Sequence, residues 1–99
     1  MKIIFLPPAD KELRDAVVYY NDQLEGLGNQ FLQDVLTAID FIKKFPYAWH
    51  KVGKHTRRFL LRRFPYLILY IPEKNKIIIT AIAHKYRHPN YYLNRKNNI

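Results

Sequence analysis

The stretch Ile77 to Ala83, reading IIITAIA, constrains this chain more than any other segment. Three consecutive isoleucines and a threonine are β-branched, and such side chains favour a pleated strand over a helix. The apolar residues do not alternate with polar ones. A strand of that kind is central and covered on both faces. The chain then releases His84, Lys85, Tyr86, Arg87, His88, Tyr91, Tyr92 and Arg95 in quick succession. A buried strand that ends in basic and aromatic side chains is a rigid arm holding a polar site. The earlier chain is expected to build the scaffold for that arm.

Ninety-nine residues make one domain, spanning 1–99, with a single core. There are no cysteines, which excludes a disulfide framework and any thiolate metal site. The opening KIIFL run ends at Pro7 and is too short for a signal h-region or a membrane span. A soluble, cytoplasmic protein is expected. The net charge of +9 is unevenly spread. Residues 1–49 balance at −2 and residues 50–99 at +11, where Glu73 is the one acid. A basic surface of that size attracts phosphate backbones or acidic peptides.

Taken in order, Lys2 to Leu6 reads as a first strand, stopped by Pro7-Pro8. Leu13, Val17, Tyr20 and Leu24 form one apolar stripe and predict a helix over about Pro8 to Leu24. Asp10 and Glu12 suit the positive end of its dipole. Gly26 and Gly28 supply a tight reversal. Phe31, Val35, Ala38, Ile42 and Phe45 predict a second helix, from about Asn29 to Phe45, which Pro46 stops. Tyr47 to Thr56 has no period and reads as a basic loop anchored by Trp49. Three strands follow: Arg57–Phe64, Tyr66–Ile71 and Lys76–His84, with a turn at Pro72–Asn75. The order β-α-α-β-β-β is that of an α+β fold. It predicts a helical hairpin packed on one face of a small, mainly antiparallel sheet.

The chemistry-bearing residues lie in the second half. Paired carboxylates are absent there, which argues against glycosidase-type catalysis. The acids of the first half sit on helix faces and read as solvated. His84 and His88 are four apart, but His84 ends a strand and Pro89 follows His88, which argues against a helix through both, and no thiolate or carboxylate is near. No metal and no cofactor are expected. What remains is a cluster of His, Arg, Lys and Tyr. His84, His88 and Tyr92 are candidate proton carriers, and Arg87 a candidate phosphate holder, for metal-free RNA cleavage. Lys54, Arg57, Arg58, Arg63, Lys85 and Arg95 are candidate contacts to nucleic acid or another anionic target. The alternative for the tyrosines is that they pack the tail onto the sheet.

The element order, the length and the tail together resemble the RelE/ParE superfamily, the toxins of bacterial type II toxin–antitoxin modules. The matching positions are Phe64-Pro65-Tyr66, Ile68 and Tyr70, then Ala81, His84, Arg87, Pro89, Tyr91, Tyr92 and Arg95. Tyr20, Gly28 and Phe31 also fit. The resemblance implies a growth-inhibiting toxin neutralised by a cognate antitoxin, with any oligomer formed through that antitoxin. RelE-like members cleave messenger RNA on the ribosome, whereas ParE-like members poison DNA gyrase. The nuclease branch places arginines where this chain has Leu67 and Tyr86. The tail, with His84, Arg87 and Pro89, is similar to the ParE-like and plasmid-stabilisation branch. Gyrase is therefore the expected target. The alternatives are a RelE-like ribosome-dependent endoribonuclease and a non-toxic basic binding module.

Overall fold

The computed structural model describes residues 1–93 and 95. Its elements are β1 (Lys2–Phe5), α1 (Ala9–Gln23), α2 (Leu27–Lys44), β2 (Arg57–Leu60), β3 (Tyr66–Glu73) and β4 (Lys76–His84), followed by a 3-10 turn at Pro89–Tyr91. The four strands make one sheet in the order β1-β4-β3-β2. β1 runs parallel to β4, and the other pairs are antiparallel. The two helices cover one face, so the expected α+β arrangement holds.

β4 is central and buried on both faces, but its missing alternation has a second cause. Leu69 pairs with Ala81 and Tyr70 with Ile79, which leaves Thr80 as an extra residue. This β-bulge shifts the side-chain phase along β4. Before it, Ile77 and Ile79 face the helices; after it, Ile82 does. Ala81 and Ala83 lie on the other face with Leu67, Leu69 and Tyr92. Thr80 closes the bulge by donating its hydroxyl to the Leu69 carbonyl at 3.3 Å.

Two strand boundaries differ from those the sequence predicts. β2 stops at Leu60, because Leu61 and Phe64 turn inward and are buried. Phe64 and Tyr66 then join Tyr20 and Phe31 in an aromatic cluster, with ring centroids 4.9 to 5.3 Å apart along four of its edges. β3 continues through Pro72 and Glu73, leaving Lys74-Asn75 as the turn. Proline is tolerated there because β2 reaches only as far as Tyr70, so Pro72 lies on a sheet edge. Tyr70 is fully buried and donates its hydroxyl to the Pro46 carbonyl at 2.9 Å. Burial pushes that phenol up to about 12.

The helical hairpin turns on two glycines with different duties. Gly26 takes a left-handed conformation with φ of 86° at the start of α2, so α2 begins at Leu27 rather than at Asn29. Gly28 is the point of closest approach. A Cβ there would collide with the Val17 carbonyl oxygen, and its N–H donates to Asn21 Oδ1 at 2.7 Å.

The tail is fixed by a clasp. β1 ends at Phe5, opposite Ile79, so the same edge of β4 has no strand beside it from Thr80 onward. Glu12 of α1 accepts the Ile82 N–H at 3.0 Å on that edge. Arg95 donates to the Thr80 carbonyl at 3.2 Å and to both Glu12 oxygens at 2.7 Å. Both side chains are largely buried, at 12% and 13% exposure. The side chain of Glu12, read from sequence as solvated, is instead largely buried, because it lies between Ala9 and Ala16 on the packed face of α1.

Two stability predictions follow from these contacts. Gly28→Ala is expected to cost about 2 to 3 kcal/mol through overpacking at the hairpin, measured by urea unfolding. Arg95→Ala is expected to cost about 3 kcal/mol, because it leaves the Glu12 charge without its partner. In the double variant Glu12→Ala/Arg95→Ala the cost should fall short of the sum of the two single changes.

Candidate functional site

The β4 arm delivers its polar residues to different places. His84 is the last residue of β4 and faces the helices, beside its strand partner Tyr66 and residues of α1. Its ring meets Tyr66 edge-on at 5.5 Å and lies 5.4 Å from Tyr86. Its Nδ1 accepts the Tyr86 N–H at 3.3 Å. The Lys85 N–H donates to the Pro65 carbonyl at 2.8 Å and the Arg87 N–H to the His84 carbonyl at 2.9 Å, which fixes the chain reversal. Lys85 and Arg87 are exposed, and their cations lie over aromatic rings: Lys85 over Tyr86 at 5.1 Å and Arg87 over Tyr91 at 4.2 Å.

His84 and Arg87 share a shallow cavity of about 270 Å³ with Glu12, Asp15, Tyr19, Tyr66 and Tyr91. Burial raises the Tyr66 phenol above its ordinary value, so it stays protonated at neutral pH. Glu12 is committed to Arg95, and Asp15 accepts from Lys11 at 2.7 Å. The cavity therefore offers one imidazole, one guanidinium and three phenol rings. It is a surface for holding a group.

The other two candidate proton carriers stand elsewhere. The Nδ1 of His88 accepts the Asn90 N–H at 3.1 Å and so caps the 3-10 turn. Tyr92 is buried on the helix-free face of the sheet, against Leu67, Leu69, Ala81 and Ala83. A strand thus separates Tyr92 from His84. His84 and Arg87 come together, and Tyr92 packs the tail onto the sheet.

The candidate anion contacts divide in the same way. Arg63 makes a two-point ion pair with Asp34, at 3.1 and 2.8 Å, and Asp34 raises the basicity of its guanidinium. Arg95 belongs to the clasp, and its hydrogen bonds to Glu12 raise its pKa. Arg57 donates to the carbonyls of Tyr47 and Trp49 at 3.1 and 2.9 Å. Lys54 and Arg58 remain exposed. Sequence reasoning missed Glu12 and Asp34 as partners. A signal for Glu12 was present, since an acid flanked by Ala9 and Ala16 on a helix sits on a face that packs closely.

A second, larger concavity of about 480 Å³ lies between α2 and β2. Thr37, Ala38 and Phe41 line one wall, and Phe59, Leu61 and Arg62 the other. Phe41 is 46% exposed at its rim, with Phe45 and Tyr47 exposed beyond it. An open apolar groove of this kind marks an interaction surface.

The family model for the ParE toxin of the type II toxin–antitoxin system parDE matches residues 3–89. The chain belongs to the ParE toxin family. It is thus a toxin of the type II toxin–antitoxin class. A solved structure described as the chromosomal ParDE TA system from P. aeruginosa has the same fold, with a TM-score of 0.73 at 15% identity. The match covers 85% of this chain and 95% of the other. No curated protein sequence matches the chain. Among the described residues, no helix is long and apolar enough to cross a membrane.

As a packing residue of a ParE-type toxin, Tyr92 should tolerate loss of its hydroxyl. Tyr92→Phe is expected to change unfolding free energy by less than about 1 kcal/mol and to leave growth inhibition intact. Tyr92→Ala should cost about 3 kcal/mol, as large-to-small core changes do. Melting curves and plating efficiency after induction measure the two.

Proposed function

We propose that this chain inhibits growth by binding DNA gyrase, and that a cognate antitoxin neutralises it. The observation that carries the reading is the separation of His84 from Tyr92. General acid–base cleavage of RNA needs its proton carriers and its cation around one phosphate. Here the imidazole and the guanidinium are on the helix side and the tail tyrosine is buried on the opposite face. Leu67, where the nuclease branch places an arginine, is buried beneath that tyrosine. An arginine there would be a buried charge without a partner.

The antitoxin half of the proposal is supported by the groove between α2 and β2. Its carboxylate, Asp34, is already locked onto Arg63, while Arg62 stands exposed beside it. An acidic segment with apolar residues at helical spacing suits those walls, and such a segment folds as it binds.

Purified protein added to a gyrase supercoiling assay should suppress supercoiling in proportion to its concentration. Induction in cells should raise a DNA-damage response with transcripts left whole. Full supercoiling at saturating protein, or codon-phased cuts in the transcripts, would sink this reading.

A further inference from the structure

The sequence from 50 to 58, HKVGKHTRR, carries six basic side chains in nine residues and no acid. The structure folds it into a small hairpin that runs into β2. The Val52 N–H donates to the Thr56 carbonyl and the Arg58 N–H to the His50 carbonyl, both at 2.9 Å. Lys51 stands opposite Arg57 in an antiparallel bridge. Three roots hold the hairpin to the body. Val52 packs on the helix-free face, Thr56 is buried, and Arg57 is held by the Tyr47 and Trp49 carbonyls.

The side chains of Lys51, Lys54 and Arg58 are exposed. Among the described residues, no hydrogen bond, ion pair or ring contact engages them. Arg63, Lys76 and Arg95, by contrast, are each paired with a carboxylate. Apart from Glu73, every acid of the chain belongs to α1, α2 or the link between them, so none lies in the hairpin. The three cations line neither the cavity at His84 nor the groove beside α2.

We propose that the hairpin from His50 to Arg58 is a nucleic-acid contact, gripping the phosphate backbone with Lys51, Lys54 and Arg58. A two-stranded ribbon has the width to enter the major groove of a duplex. A backbone fixed before binding loses little freedom on contact. An acidic peptide, the other polyanion, gains its affinity from apolar anchors in pockets, which these three cations do not border. The inference does not rest on gyrase being the target. A toxin that acts through protein contacts alone would keep its gyrase activity and fail the test below.

The test is fluorescence anisotropy of the purified full chain with a short duplex DNA and, separately, a short single-stranded RNA, over a range of salt. Binding should weaken with salt at a log–log slope of about −3, as three phosphate contacts require. Lys51→Ala, Lys54→Ala and Arg58→Ala should each reduce that slope by about 1. Lys43→Ala/Lys44→Ala, at the end of α2, should leave it unchanged. Binding to the duplex alone assigns the contact to a groove, and equal binding to the single strand assigns it to the backbone itself. Since all three side chains are exposed, the triple variant should melt with the parent protein. If it does not, Lys54→Ala at the hairpin tip carries the test alone. The proposal is overturned if neither nucleic acid binds, if the variants bind with the parent's salt dependence, or if polyglutamate at equal charge binds as tightly.

Discussion

Where β1 leaves the sheet at Phe5, β4 continues for several residues with one edge bare, and a bare edge is a template for another chain. Glu12 and Arg95 finish that edge with side chains. One carboxylate oxygen takes the Ile82 N–H and one guanidinium nitrogen serves the Thr80 carbonyl. The ion pair so formed ties the first helix, the central strand and the tail together. Much else hangs on it. Tyr91 lies over the Arg95 guanidinium at 4.7 Å, and Arg87 lies over the same ring. The wall of the His84 cavity is therefore built on the clasp, and so is the cover that Tyr92 gives the helix-free face.

The excess positive charge does not form one uniform surface. Some cations are structural: Arg57, Arg63 and Arg95 are bonded to carbonyls or carboxylates and hold loops, strands and tail in place. Others, Lys85 and Arg87, rest on tyrosine rings that orient them. A third set projects from the hairpin that runs into β2, with no side-chain partner among the described residues. Coulomb attraction between an exposed cation and a distant ligand is weak in water and is screened by salt, so such cations act on a polyanion only at close range. Apart from Glu73, the acids are confined to the helices and the link between them, which gives the molecule two electrically different sides.

Much of this fold was legible from residue pattern alone. The apolar stripes on the two helices, the proline and glycine punctuation between them and the β-branched run of β4 are strong, local signals. The ends of β2 and β3 were less legible, because tertiary packing decides them: Leu61 and Phe64 leave the strand to fill an aromatic cluster contributed by both helices. The site was only half legible. Residue types at the end of β4 announced a polar cluster, but which face each one reaches depends on a single bulged residue and a sharp reversal. Glu12 and Arg95 are 83 positions apart in sequence, so their pairing follows from topology and from no local pattern.

The bulge at Thr80 acts as a phase shifter. Side chains along a strand alternate between faces with a period of two, so one extra residue exchanges the faces for everything that follows. Were Thr80 paired regularly, with no bulge, the strand would bring His84 out on the side where Tyr92 now packs. Removing that one residue would therefore be a different kind of change from substituting it. Substitution loses a hydroxyl contact, whereas deletion would remove the bulge and let Ala81 follow Ile79 in the register, so that Ile82 and His84 keep the helix face and the tail keeps its address.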